Sequence, residues 1–272
     1  MKVLYAARYA RPDLLRACTY LALYFTKWSP ACDAKLHRLM CYINSTLDWR
    51  QVGWVGDSLA DLSLHLFADA DFSGCNATSR STSGVHLCIR GPATCYPLNG
   101  ISKRQGCVSH STPEAEIVAA DFALRSSGLP ALDLWKVICM SPIVLTFHED
   151  NQAMIRVCET GRNPTMRHLG RTHHVSVDWL HERCASEDVN LIPETTDRQS
   201  ADIYTKAFVN PDTWRHATEL INISSMLKSI ATRGDSIAKS TKLPPFTVPP
   251  QVAIQQKTAI AAPPSPKTPR ST

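Results

Sequence analysis

No run of apolar residues in this chain approaches the roughly 18 needed to span a bilayer, because Arg16 and Lys27 bracket the richest stretch. Membrane insertion and a membrane partner are therefore not expected. The opening Met1-Lys2-Val3-Leu4-Tyr5-Ala6-Ala7-Arg8 is too short in apolar residues for a secretory signal, and Arg8 and Arg11 interrupt it at once. An intracellular protein, in cytoplasm or nucleus, is the expectation. Paired cysteines are also missing: the ten occur singly from Cys18 to Cys184, and none has the C-x-x-C spacing that grips zinc. Reduced, mostly buried thiols follow. A strong charge of one sign is lacking too, since 29 Lys and Arg against 24 Asp and Glu leave a formal net charge of +5. That excess suits a phosphate-bearing partner but is equally common without one.

What is present suffices for one medium domain with appendages, because 272 residues at 44% hydrophobic content can build a sizeable core. Residues 1–58 read as helical. Leu14, Cys18, Leu21 and Phe25 recur at helical spacing after Pro12-Asp13, and a second helix from about Ala34 to Ile43 carries Leu36, Leu39, Met40 and Ile43 on one face. The two should pair as a hairpin. From 62 to 208 the period changes. Leu62 to Phe67 alternates as a strand, as do Val85, Leu87 and Ile89, and a third strand follows the Arg90-Gly91-Pro92 turn through Thr94, Cys95 and Tyr96. An Ala-rich helix from Glu114 to about Leu124, a buried strand over Ile143 to Phe147, a short strand at Val189 to Ile192 and a last helix opening at Ser200 to Ala207 complete the pattern. The expected fold is α/β, a mixed sheet in the order β-β-β-α-β-α-β-α. A helical extension over 209–232 and a Pro-, Ser-, Thr- and Lys-rich tail over 233–272, too poor in apolar residues to bury a core and read as disordered, complete the chain.

Four acids stand at informative places in this pattern. Asp69 lies at the end of the first strand in Ala68-Asp69-Ala70-Asp71, and Asp150 ends the buried run Ile143 to Glu149. Glu116 sits in the first turn of the Ala-rich helix and Asp202 begins the last one. Singly, each has an ordinary explanation: acids at strand ends are usually solvated, and acids opening a helix complement its dipole. The set of four is less ordinary.

The segments Arg80-Ser-Thr-Ser-Gly84, Ser102-Lys-Arg-Gln105, Ser111-Thr-Pro-Glu-Ala-Glu116, Glu149-Asp-Asn-Gln152, Arg171-Thr-His-His174 and Ala201-Asp-Ile-Tyr-Thr-Lys206 resemble, in order and spacing, successive blocks of the ribonuclease H domain of copia-type retrotransposon polyproteins. Upstream, Arg11-Pro-Asp13 and the two helices resemble the end of the reverse transcriptase of the same polyproteins, so the likeness covers about Val3 to Phe208. It implies a ribonuclease H-like fold and four catalytic, metal-binding acids, Asp69, Glu116, Asp150 and Asp202. Asp71, Glu114 and Glu149 are neighbours that the family pattern leaves outside the set. Clustered carboxylates repel unless cations neutralise them, and hard oxygen ligands suit two Mg2+ or Mn2+ ions. Asp69 is the expected bridging ligand. The implied substrate is the RNA strand of an RNA–DNA hybrid, read by shape and phosphate contacts. Lys103 and Arg104 are the first candidates for phosphate contact, with Arg80, Ser81 and Arg171 behind them. Asn151 either reaches the hybrid or caps the helix that follows it. His168, His173 and His174, with His181 and Cys184, have irregular spacing for zinc and read instead as lining a helix start.

The chain departs from the family in three ways. No Tyr-x-Asp-Asp motif or palm domain precedes the ribonuclease region, so a reverse transcriptase supplied by another polyprotein is the implied partner. Gly100 stands where the family has tryptophan, which should loosen the third strand, and Ser176 replaces a usual acid. Two rival readings remain at this stage: an inactive truncated retroelement remnant, starting at an internal methionine, that at most binds nucleic acid, and an interaction protein recruited through its Pro-rich tail.

Overall fold

The computed structural model describes residues 2–75, 78–139 and 143–225; the expected tail, and the extension beyond residue 225, lie outside the described residues. The chain opens with α1 (Lys2–Tyr9), and a 3-10 turn at Pro12–Leu14 leads into α2 (Leu15–Ala22). Proline 30 then starts α3 (Pro30–Ser45), where a missing N–H costs nothing. Cys18, Leu21, Cys32 and Leu39 meet in one buried cluster as the hairpin reading requires. Phe25 and Met40 do not: Phe25 lies in a separate 3-10 turn at 76% exposure, and Met40 is 46% exposed. A short strand, β1 (Trp49–Gln51), follows.

The central sheet begins with β2 (Ser63–Asp71), β3 (Thr82–Gly91) and β4 (Thr94–Arg104). Next come α4 (Thr112–Ala123), α5 (Leu129–Cys139), β5 (Leu145–Glu149), α6 (Gln152–Thr160), α7 (Leu169–Thr172), α8 (Val177–Cys184) and β6 (Val189–Pro193). Its strand order is β4-β3-β2-β5-β6, antiparallel through β4, β3 and β2 and parallel from β2 through β5 to β6. This is the mixed α/β sheet that the sequence pattern leads one to expect. On its helix side Leu64, Leu66 and Ala68 alternate along β2 and pack with Leu145, Phe147, Ile117 and Ala120.

Three sequence expectations change. α5 is additional: Gly128 and Pro130 look like a break, yet a π-turn at Leu124–Gly128 carries the helix on. A Cβ at Gly128 would come within 2.8 Å of Leu66 Cδ2 and 2.9 Å of Leu145 Cδ2, so the helix lies directly on the sheet. The last helix does not open at Ser200. Only a 3-10 turn, Asp202–Tyr204, forms, because side chains capture its carbonyls: Ser102 Oγ donates to Tyr204 O at 2.6 Å and Arg16 Nε to Thr205 O at 2.7 Å. The helix comes later, as α9 (Pro211–Leu220), before β7 (Ile223–Ser225) pairs antiparallel with β1. Finally, Gly100 does not interrupt β4. The Tyr204 ring occupies the space above it, with its hydroxyl against the place where a Cβ would stand, and a tryptophan there would collide.

The N-terminal helices, Ile203, Tyr204, Ala217, Ile221 and Ile223 share a second apolar cluster. Its polar anchor is Asp13, which accepts from Arg11 Nη2 at 2.8 Å and from Tyr42 Oη at 2.9 Å, while Arg11 Nη1 donates to Thr46 O at 2.9 Å. The Arg-Pro-Asp segment thus ties the start of α2 to the end of α3. No disulfide forms among the described residues, and five of the ten cysteines are buried. No helix among the described residues is long and apolar enough to cross a membrane.

Candidate active site

Asp69 lies near the end of β2, and Asp150 directly follows β5. These strands are parallel neighbours in the register Phe67↔His148, which carries both chains to their acids at the same sheet edge. The 3-10 turn delivers Asp202 to that edge. A carboxylate oxygen from each of Asp69, Asp150 and Asp202 lies within 4.8 Å of the others, an arrangement able to hold a metal ion. Glu116, on α4, is not part of that three-acid group. It is Glu114 that occupies the first helical turn, with Glu116 just beyond it.

The electrostatics of the cluster show what it is suited to hold. Burial, with Asp69 and Asp150 beside it, pushes Asp202 up to about 7. Burial and the charges of Glu149, Asp69 and Asp150 push Glu116 up to about 11, and burial raises Asp69 as well. Lys206 is the one base recorded against these acids among the described residues, with Nζ 2.7 Å from Asp202 Oδ1 and 3.5 Å from Asp69 Oδ1. Burial alone would lower its pKa, but the facing carboxylates raise it. Thr205 Oγ1 donates to Asp69 Oδ2, and Thr196 Oγ1 donates to Asp150 Oδ2 at 3.1 Å. Two further oxygens, Glu116 Oε2 and Glu149 Oε2, are buried without a hydrogen-bond partner. Converging hard oxygens with orphaned carboxylate atoms beside them fit a divalent cation.

The neighbouring acids have other work. Asp71 accepts from the Thr82 amide and pairs with Arg16 at 2.9 Å, bracing the β2–β3 end of the site against α2. Glu114 Oε1 accepts from both His168 and His173 Nε2 at 3.1 Å, and its Oε2 accepts from the His110 amide at 3.0 Å. His168 and His173 therefore hold the start of α4, while His181 Nδ1 instead meets Cys158 O at 2.7 Å, so the five candidate zinc ligands do not converge. Ser176 caps α8 by accepting from the Trp179 amide.

Behind the acids runs a partly buried chain centred on His148. Glu194 accepts from His148 Nδ1 at 2.9 Å, and burial keeps both His148 and His65 neutral, at about 3. With its proton on Nδ1, neutral His148 accepts from His65 Nδ1 at 2.8 Å, and His65 Nε2 accepts from Ser63 Oγ at 2.9 Å. The Glu194 amide also donates to Glu149 O at 2.9 Å, fastening β6 beside Asp150.

Of the sequence candidates for phosphate contact, Lys103 is exposed, with Nζ 4.4 Å from the Phe122 ring centre, and Arg104 and Arg80 are half-buried. Arg171 is exposed on α7. Ser81 is a correction: it is fully buried and its hydroxyl accepts from the Ser73 amide, so it braces the loop and has no open face for a phosphate. Asn151 caps α6, accepting from the Ala153 and Met154 amides at 3.1 and 3.0 Å. Lys206 is the residue sequence reasoning passed over, although its place four residues after Asp202 was a signal for it.

No protein-family model and no curated protein matches the chain. Among solved structures it is similar to LC11-RNase H1 isolated from compost by a metagenomic approach, at 12% identity and a TM-score of 0.36, over 53% of this chain and 92% of that one. It is similar to the RNase H domain of PFV at 15% identity and a TM-score of 0.35, over 63% and 95% of the two chains. A third likeness is to the protease–reverse transcriptase of Prototype Foamy Virus, at 16% identity and a TM-score of 0.32, over 62% of this chain and 21% of that one. At such identities and TM-scores, what the chain does has to be read from its own sheet order and acids.

Proposed function

We propose that the chain is the ribonuclease H part of a copia-type retrotransposon polyprotein, hydrolysing the RNA strand of RNA–DNA hybrids with two Mg2+ or Mn2+ ions. The observation that carries this reading is the convergence of Asp69, Asp150 and Asp202 within 4.8 Å at the edge where the parallel strands β2 and β5 end. Asp69, Glu116, Asp150 and Asp202 are the residues that would hold the cations. Bound there, they supply the positive charge that in-line displacement at a phosphodiester needs on the attacking and leaving oxygens. Thr205 and Thr196 fix the aspartates they donate to, so the ligand oxygens are set before substrate arrives. Lys206 balances part of the negative charge and keeps the acids together. Lys103, Arg104, Arg80 and Arg171 are the side chains proposed to meet phosphates of the hybrid, and Asn151, while capping α6, keeps its amide nitrogen available to it. The hybrid would come from a reverse transcriptase.

The test is strand and product analysis. Purified full-length chain is given end-labelled RNA–DNA hybrid, RNA duplex and DNA duplex with Mg2+ or Mn2+. Cutting of RNA in the hybrid alone, leaving 3′ hydroxyl and 5′ phosphate ends, is expected. Equal cutting of all three duplexes, or none by folded protein, contradicts the reading.

A further inference from the structure

One buried acid takes no part in the chemistry above. Glu149, the last residue of β5, is completely enclosed, at 0% exposure. Strand alternation turns it to the same side as Phe147, which packs with Ile117 and Ala120 of α4, the helix that carries Glu116. Glu149 Oε1 accepts from the Asn151 amide at 3.2 Å, but its Oε2 has no partner, and Glu116 Oε2 is buried in the same condition. Among the described residues no Lys, Arg or His forms an ion pair with either acid, and Lys206 is engaged by Asp202 and Asp69. An enclosed carboxylate atom without a donor is costly, and each of these two acids carries one. What satisfies two such oxygens together, at the edge of a three-aspartate cluster, is a hard cation.

We propose that Glu149 is a fifth carboxylate of the divalent-cation centre, holding with Glu116 the cation on the helix side of the sheet while Asp69, Asp150 and Asp202 gather the other. This rests on the reading that the site binds divalent cations. It assigns a ligand role to an acid whose position directly before Asp150 makes it look like a bystander.

The experiment is calorimetric titration of the full-length chain with Mn2+ alone, beside thermal melting with and without Mn2+, for the unaltered protein, Glu149→Gln, Glu149→Asp and Asp69→Asn. The expected result is that Glu149→Gln loses one of two Mn2+ equivalents or weakens binding at least about tenfold. Its metal-free melting temperature should be unchanged or higher, and its Mn2+-induced rise smaller. Glu149→Asp, which keeps the charge on a shorter arm, should retain both equivalents at reduced affinity. Unaltered Mn2+ binding by Glu149→Gln overturns the proposal, whatever its melting temperature. So does failure of Glu149→Gln to fold, because glutamine keeps the acceptor that Glu149 Oε1 offers the Asn151 amide and lacks only the charge. If the unaltered chain binds no Mn2+ and Asp69→Asn changes nothing, the cation reading of the whole site falls, an outcome distinct from failure at Glu149 alone.

Discussion

Asp202, in the three-acid group, and Glu116, on the neighbouring helix, have raised proton affinities that give the site a pH signature. Raised from 3.8 to about 7, Asp202 keeps a proton in the folded chain that the unfolded chain releases, so its contribution to stability is lost as the pH rises through 7. Glu116, raised from 4.5 to about 11, extends that loss into the alkaline range. The buried His86 and His148 and the half-buried His65, pushed down to about 3, act in the opposite sense. Their contribution is complete above their ordinary 6.5 and is lost as the pH falls. Above pH 6.5 the carboxylates therefore govern. The melting temperature of the cation-free protein is predicted to fall as the pH rises from 6.5, and added Mg2+ or Mn2+ should restore it more at the alkaline end. A flat or rising profile without cation would contradict this.

At the scale of elements, two glycines show how closely the 3-10 turn of Asp202 is held to the sheet. A Cβ on Gly84, the register partner of Asp69, would stand 2.8 Å from Ala201 O and 2.7 Å from Thr205 Cγ2. Gly84→Ala should push that turn and Asp202 away from Asp69, weakening Mn2+ binding measured by calorimetry. Gly100→Ala would strike Tyr204 and is predicted to cost about 1–3 kcal/mol in urea unfolding, as overpacked positions do. An unchanged urea midpoint would show that Tyr204 can yield.

These contacts also explain which elements were readable in advance. β2, β3 and β5 were legible because period-two or continuous apolar runs end in turn residues or acids, whereas the choice of Asp69 and Asp150 as site residues came from the family resemblance. Helix α5 was hidden because Gly128 reads as a breaker until the nearness of Leu66 and Leu145 is known. The turn at Asp202 reads as a helix until Ser102 and Arg16, 100 and more residues away in sequence, are seen to take its carbonyls. The enclosure of Ser81 and Glu149 was equally invisible, since burial at a loop or strand end is decided by tertiary packing.

Across the whole molecule, the N-terminal helices and the site are mechanically joined. Arg16 donates to Thr205 O and pairs with Asp71, and the cluster around Ile203 and Tyr204 is completed by α1, α2, α3 and α9. Removing residues 1–58 should therefore uncover Tyr204 and lower the thermal midpoint seen by circular dichroism, where an independent appendage would leave it unchanged. A point change reaches the same joint. Asp13→Ala leaves half-buried Arg11 and Tyr42 without their buried acceptor, and a loss of about 1.5–3 kcal/mol in urea unfolding is expected for removing hydrogen bonds to a charged group. A loss under about 1 kcal/mol would mark the pair as effectively solvated.

The central claim is that the carboxylates at the ends of β2 and β5 hold cations that cut RNA in a hybrid. Its most direct measurement is the cleavage rate of a labelled RNA–DNA hybrid by the full-length chain and by Asp69→Asn, with the far-ultraviolet circular dichroism of the two matched. Cutting that requires Mg2+ or Mn2+ and is abolished by Asp69→Asn is the predicted result. Cutting that survives Asp69→Asn, or a well-folded chain that leaves the hybrid intact, would contradict it.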